Sequence, residues 1–270
     1  MSVINTNVSA LRAQNAMTVN ARAQSTAMEQ LSTGSRVNTA KDDAAGLAIG
    51  QNMTSQIRGL NQAVRNLNDG INMMQTAEGA LNETSNMLQR MRELAVQSAN
   101  GSYSPAQRGY LDTEFGQLSA QIGKIASDTK WNDQALLAAS TIFTYQAGAA
   151  NNQTVAVTIL SMDVGGLVLG GAQLSTAAVA LTAIGLLDTA IGSVNTQRAT
   201  IGAGINRMTY AVDNLSNVAA NTAASRSTIM DTDYATASTQ LSKTQIIQQA
   251  ATAMLAQANQ QPQAVLSLLK

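Results

Sequence analysis

The sequence predicts a mainly α protein: long antiparallel helices, packed coiled-coil fashion and drawn from both chain ends, with one small β-hairpin region. Three observations predict it. Apolar residues recur at alternating steps of three and four through three long stretches, the spacing that lays one stripe along a helix. Aromatic residues are only 3% of the 270, with two Phe and one Trp, so no thick aromatic core can be built, and two prolines leave long helices uninterrupted. A single pair of β-prone runs lies between the second and third stripes.

In chain order, residues 1–40 carry a scattered stripe: Ile4, Val8, Leu11, Met28 and Leu31. The first long seam runs Met53, Ile57, Leu60, Val64, Leu67, Ile71 and Met74. After a one-residue skip it continues through Ala77, Leu81, Thr84, Leu88, Met91 and Ala95. This is a helix of about 55 residues, roughly 80 Å long. Gly46, Gly50, Gly59, Gly70 and Gly79 fall inside helical stretches and read either as places of close helix approach or as points that soften the helix, so that copies can pack in slightly different ways. Asn100-Gly101-Ser102 stops the helix. Ser104 then serves as N-cap with Pro105 at the first helical position. The seam Leu111, Phe115, Leu118, Ile122 and Ile125 folds back as an αα-hairpin.

Two β-prone runs follow, 141–145 and 154–159, with Gly148 and Asn151-Asn152 supplying turn chemistry between them. Gly165-Gly166 and Gly170-Gly171 read as a flexible loop. The third seam holds Ile184, Leu187, Ile191, Val194, Arg198, Ile201, Ile205, Met208, Val212, Leu215, Ala219, Thr222, Arg226 and Ile229. From Thr244 to Leu269 the chain has no charged residue, while Ile247, Met254, Leu255, Val265, Leu266, Leu268 and Leu269 give it an apolar stripe. Both ends are weakly amphipathic, and such helices are marginal in water unless a face packs on something else. They are expected to be unfolded in the monomer and helical on assembly.

Composition narrows the function. The chain has no Cys and no His, which removes Ser-His-Asp and Cys-His catalysis and the commonest zinc ligands. Net charge is zero, so neither nucleic acid nor an anionic membrane is an expected partner, and charged residues at 12% favour self-association. The stretch 177–187 is too short to span a bilayer, and residues 1–20 lack the apolar run of a cleaved signal peptide. The acidic clusters at Asp42-Asp43 and Asp231-Asp233 read as helix caps, not metal ligands. A structural, non-enzymatic protein with no cofactor and no metal site is the expectation.

Four runs in the first half stand out: 2–7 (Ser2-Val3-Ile4-Asn5-Thr6-Asn7), 31–38, 41–49 (opening Lys41-Asp42-Asp43-Ala44) and 88–100 (opening Leu88-Gln89-Arg90). Near the other end stand 231–235, 256–260 and 265–269. Together these runs resemble the bacterial flagellins. The likeness spans about 1–160 and 184–270. It implies a filament subunit with three parts: an inner terminal-helix domain at 1–44 and 230–270, a helical bundle at 45–161 and 182–229 with a β-hairpin near 141–159, and a short variable loop at 162–181 in place of outer domains. It implies polymerisation contacts at Ile4, Val8, Leu11, Leu31, Ile247, Met254, Leu255, Val265, Leu266, Leu268 and Leu269.

The implied partners are other copies of the chain, a flagellar secretion chaperone at the C-terminal helix, the type III export apparatus, and hook-associated junction and cap proteins. A Toll-like innate receptor is a further implied partner, with Gln89, Arg90, Glu93, Leu94, Gln97 and Glu114 at the matching positions. The implied location is the extracellular filament. A surface adhesin or glycan receptor and a hook–filament junction protein are the alternatives. The scarcity of exposed aromatics weighs against the first, and the matches at 88–100 and 265–269 against the second.

Overall fold

The computed structural model describes the backbone of residues 6–267 and the side chains of residues 6–260. The described residues form five helices, α1 (Val8–Thr33), α2 (Ala44–Ala99), α3 (Pro105–Asp128), α4 (Ala177–Met230) and α5 (Tyr234–Ser267). Four short strands lie between α3 and α4: β1 (Lys130–Trp131), β2 (Gln134–Ala135), β3 (Thr141–Gln146) and β4 (Thr154–Ile159). The backbone divides into two compact units, one built from the segments up to Gln56 and from Ala220 onward, the other from Ile57–Ala219.

The unit of residues 57–219 holds the main core, where α2, α3 and α4 pack against each other. Besides Met73 and Leu94, buried at its flank, the inner positions of α2 are Leu60, Ala63, Leu67, Gly70, Met74, Ala77, Leu81, Thr84, Leu88, Met91, Ala95 and Ser98. They keep the three-four alternation without a skip. The interruption expected from the sequence is absent because Ala63 and Gly70 hold the inner positions, while Val64 and Ile71 sit half-buried at the edge. The same shift occurs in α4. Leu187, Val194, Ile201 and Met208 are buried as expected, but Ala183, Ala190, Gln197 and Gly204 fill the alternate positions in place of Ile184, Ile191, Arg198 and Ile205. Small residues win these places because they let helix and hairpin approach closely. A Cβ built on Gly70 would lie 2.8 Å from the Tyr145 ring and 3.1 Å from Met208 Sδ. Gly50 similarly faces Met230 within the other unit, whereas Gly79 faces nothing within 4 Å, so close approach does not explain it.

The αα-hairpin of α2 and α3 is pinned at its turn. Arg108 is buried and donates from Nε to Ser98 O (2.8 Å) and from Nη2 to Asn100 O (2.7 Å), which satisfies carbonyls at the end of α2. Ser104 accepts from Gln107 N while the Gln107 side chain accepts from Ser104 N, a complete capping box beside Pro105. Helix α4 runs antiparallel to α2, with Arg92 meeting Asp188 at 2.6 Å and Arg198 meeting Glu78 at 3.6 Å.

Strands β3 and β4 pair antiparallel from Thr141↔Ile159 to Gln146↔Thr154. Phe143, Tyr145, Val155, Val157 and Ile159 point to the core. Gln197 ties the hairpin's end to α4, accepting from Leu160 N and donating to Thr158 O. The two-residue ladder β1–β2 was not expected. Asn132 and Asp133 turn it with φ of 47° and 64°, angles that Asn and Asp tolerate.

Residues 162–176 differ from the flexible loop expected there. Met162, Leu167, Leu169 and Leu174 are buried, Ser98 Oγ donates to Leu174 O, and Asp112 accepts from Leu174 N. Helix α4 begins at Ala177, inside the stretch expected to be loop. By length and composition alone α4 is apolar enough to cross a membrane, because it continues well beyond Leu187. Its inner stripe is used in the core of this unit.

Candidate functional site

The terminal unit contains the residues that the sequence marks for polymerisation. Its helices α1 and α5 pack antiparallel. Asn7 Nδ2 donates to Ala258 O (2.8 Å), Asn20 Nδ2 donates to Thr244 O (2.8 Å) and Gln248 Oε1 (3.1 Å), and Tyr234 Oη donates to Leu31 O (2.9 Å). Asn7 also caps α1 by accepting from Ala10 N. Gly34, in the left-handed region at φ 71°, closes α1 as its C-cap, and its carbonyl accepts from Thr232 N. Beside it Ser35 pairs with Asp231, and Arg36 N and Nη2 donate to Met230 O and Ile229 O.

Both acidic clusters are caps, as expected. Asp43 Oδ1 accepts from Gly46 N at the start of α2, and Asp42 Oδ2 accepts from the amides of Asn38 and Thr39 and from the Thr39 hydroxyl. Asp233 accepts from the Thr236 hydroxyl and the Ala235 amide at the start of α5. Hydrogen bonds from Thr39 and Thr236 hold the Asp42 and Asp233 carboxyls below the ordinary Asp range. Among the described residues no three His, Cys, Asp or Glu side chains gather as a metal site.

The facing of the α1–α5 pair is the main finding. The buried and half-buried positions are Ala10, Ala13, Met17, Asn20, Ala23, Gln24, Ala27, Gln30 and Leu31 on α1, against Ala237, Leu241, Thr244, Gln248, Ala251, Leu255 and Ala258 on α5. They are mostly small or polar, with Met17, Leu31, Leu241 and Leu255 as their large apolar members. Val8, Leu11, Val19 and Met28 on α1 and Ile246, Ile247 and Met254 on α5 are exposed, Val19 at 62% and Ile246 at 66%. More large apolar residues thus lie outside the seam than in it, unlike a self-sufficient helical pair.

Of the residues expected at the polymer contact, Val8, Leu11, Ile247 and Met254 are therefore exposed, while Leu31 and Leu255 are half-buried in the pair. Ile4, Val265, Leu266, Leu268 and Leu269 lie outside the residues whose side chains are described. Sequence reading missed Val19 and Ile246. Their signal was a β-branched apolar residue off the inner stripe on helices otherwise rich in Ala and Gln.

The second expected site, on α2 and α3, is partly corrected. Gln89, Arg90, Glu93, Gln97 and Glu114 lie on the surface, with Arg90 bridging Glu93 and Glu114 at 3.0 Å each. The hydrogen bonds that Arg90 donates to the Glu93 and Glu114 carboxylates raise its pKa. Gln97 donates to Tyr103 Oη. Leu94 is only 1% exposed, so it belongs to the core and cannot be part of that surface. The position next to Glu93 falls on the helix's inner side.

Comparison with known proteins adds the lineage. Residues 4–141 match the family model for the bacterial flagellin N-terminal helical region, and residues 184–269 match that for the C-terminal helical region. A flagellin of Halalkalibacterium halodurans is 43% identical over 272 residues, covering 99% of this chain and 100% of the relative. A flagellar filament 31.3 kDa core protein of Treponema maltophilum is 41% identical over 285 residues, covering 99% of this chain and 100% of that one. Among solved structures, the crystal structure of Bacillus cereus flagellin aligns at TM-score 0.50 and 33% identity, covering 56% of this chain and 88% of its own. A putative flagellar hook-associated protein from Vibrio parahaemolyticus aligns at TM-score 0.59, covering 70% and 99%, and at 14% identity shares the fold alone.

Proposed function

The chain belongs to the bacterial flagellin family, and from that premise we infer that the outward aliphatic faces of α1 and α5 are the contacts that build its polymer. It is a structural subunit that self-associates into the extracellular flagellar filament and serves motility. The observation that carries the assignment of the contacts is the outward apolar surface of the terminal pair. Val8, Leu11, Val19, Ile246, Ile247 and Met254 stand in water on a pair whose own seam is mostly Ala, Thr, Asn and Gln, with Met17, Leu31, Leu241 and Leu255 as its large apolar members. In a helical polymer, a repeating contact between unlike faces of neighbouring copies buries such surfaces. A seam so poor in apolar area supports the further reading that α1 and α5 are marginal in the free subunit and settle on assembly.

Ile247 and Met254, seven residues apart and so on one helix face, form an apolar target on α5 that suits a secretion chaperone's groove before export through the type III apparatus. The surface of Gln89, Arg90, Glu93, Gln97 and Glu114 is the part of the α2–α3 hairpin open to a Toll-like receptor on the free subunit. Junction and cap proteins meet the same subunit at the filament's ends.

The test is seeded growth followed by electron microscopy. Val19→Glu and Ile246→Glu each place a charge where a neighbouring copy is expected and should abolish elongation, leaving the 57–219 unit folded by circular dichroism. Normal filaments from both variants would reject these faces as the contacts.

A further inference from the structure

Arg108 is 8% exposed, and among the described residues no carboxylate lies within ion-pair distance of it. Asp112, the acid one turn further along α3, accepts instead from Leu174 N at 2.6 Å. The guanidinium therefore meets only main-chain oxygens, those of Ser98 and Asn100. A buried cation without a counter-charge is costly to hold, and carbonyl partners offset only part of that cost. The residue able to supply the missing charge is one that Arg108 already touches.

Asn100 is followed by Gly101 in the exposed turn between α2 and α3. In an Asn-Gly pair the next main-chain nitrogen reaches the side-chain amide with no side chain in its way. The surroundings assist that attack at each atom involved. Gly101 N makes no hydrogen bond among the described residues, and an added Cβ at Gly101 would meet nothing within 4 Å. Arg108 Nη2 donates at 2.7 Å to Asn100 O, the carbonyl of the same peptide group as Gly101 N. A cation there draws electron density from the peptide and eases loss of its proton. Ser102 N donates at 3.2 Å to Asn100 Oδ1, the oxygen on which negative charge builds as Cγ becomes tetrahedral. Asn100 itself is exposed, so its Nδ2 is free to leave into water.

We propose that the α2–α3 turn is a self-modification site, at which Asn100 converts to a carboxylate with water as the only co-reactant. Solvent hydroxide takes the Gly101 N proton, that nitrogen bonds to Asn100 Cγ, and the Cγ–Nδ2 bond breaks as ammonia departs. Water then opens the cyclic imide. Cleavage of the new N–Cγ bond gives an aspartate, and cleavage of the original peptide C–N bond gives an isoaspartyl linkage. The sum is amide plus water to acid plus ammonia, with no change of oxidation state. Either way residue 100 gains a carboxylate beside Arg108. Each copy starts at formal net charge zero and becomes more negative as it ages.

The test incubates the full-length chain at mildly alkaline pH and follows its tryptic fragment 93–108, in which Asn100 is the only asparagine, by mass spectrometry. A parallel sample is held unfolded in urea at the same pH. The folded chain should convert about tenfold faster, the ratio expected from adding a hydrogen bond to a charged group. Gly101→Ala, for which the turn has room, should lose the reaction while keeping the parental circular dichroism. Arg108→Met should fall to the urea rate, and Arg108→Lys should recover part of the difference. Asn100→Asp should raise the thermal midpoint of the 57–219 unit, and the rise should vanish when Arg108→Met is added.

Conversion in the folded chain no faster than in urea would overturn the proposal, because the turn would then add nothing to an ordinary Asn-Gly pair. That ratio uses the parental chain alone, so it decides the matter even where Arg108→Met fails to fold. A lower midpoint in Asn100→Asp would overturn the role of the new carboxylate as partner to Arg108.

Discussion

Val168 has φ 58° in a left-handed conformation that crowds a β-branched side chain, and it is held there because its neighbours Leu167 and Leu169 are both buried. The strain is worth about 1–2 kcal/mol. Val168→Asn, which tolerates that region and puts a polar group in place of an exposed apolar one, should stabilise the 57–219 unit by about 1 kcal/mol, read as a rise in its thermal midpoint. Two titrating groups give pH edges of opposite sense. Burial pushes the Tyr145 phenol up to about 12 from its ordinary value near 10. The folded unit thus favours the protonated phenol. Its contribution is complete below about pH 10 and is lost between about pH 10 and 12. Asp42 and Asp233 have lowered values, so theirs is complete above the ordinary Asp range and is lost as pH falls through the folded values. Urea unfolding at pH 7, 10 and 12 should show Tyr145→Phe removing part of the alkaline loss in the 57–219 unit. Acid titration followed by amide exchange should show the Asn38 and Thr39 amides and the Ala235 amide at the start of α5 opening first.

At the scale of elements, Ser104 and Gly70 make the sharpest claims. Ser104→Ala removes one half of a complete capping box and should cost about 1 kcal/mol of the stability that holds α3, measured by urea unfolding. Gly70→Ala would press a methyl group against the Tyr145 ring and Met208, an overpacking that costs about 1–3 kcal/mol. These two also mark what could be read beforehand. The cap was legible because Ser-Pro carries its chemistry locally. The seam of α2 was legible in period but displaced at two positions, because hydrophobicity points to Val64 and Ile71 while close packing selects Ala63 and Gly70. Leu94 was misplaced on the surface for a related reason: it neighbours Glu93 in sequence but lies on the helix's inner side. The β1–β2 ladder was missed although Asn132-Asp133 is turn chemistry, since two-residue strands leave no periodicity to find. At the terminal pair, the apolar stripe was legible and its direction was not. Which face of a weakly amphipathic helix turns inward depends on a partner 224 residues away, as Asn20 and Thr244 show.

For the whole molecule, the division of labour between the units sets the outcome of truncation. Removing 236–270 deletes nearly all of α5 and with it the partner of α1, yet removes no residue of the 57–219 unit. The truncated chain should keep a cooperative thermal transition and form no filaments by electron microscopy, while the full chain grows from seeds. Loss of the transition as well would mean that the core depends on the terminal pair. The segment 162–176 has a different consequence. Leu169 and Leu174 are anchored in the core, and between them Gly170 and Gly171 stand exposed, where an added Cβ would meet nothing within 4 Å. A guest peptide spliced between those glycines would leave both anchors in place. Each copy would then carry one guest at a fixed interval along the polymer, and weak single attachments would become strong through multivalency. The chain is in that respect a ready scaffold for displaying epitopes, enzymes or mineral-nucleating peptides in ordered rows.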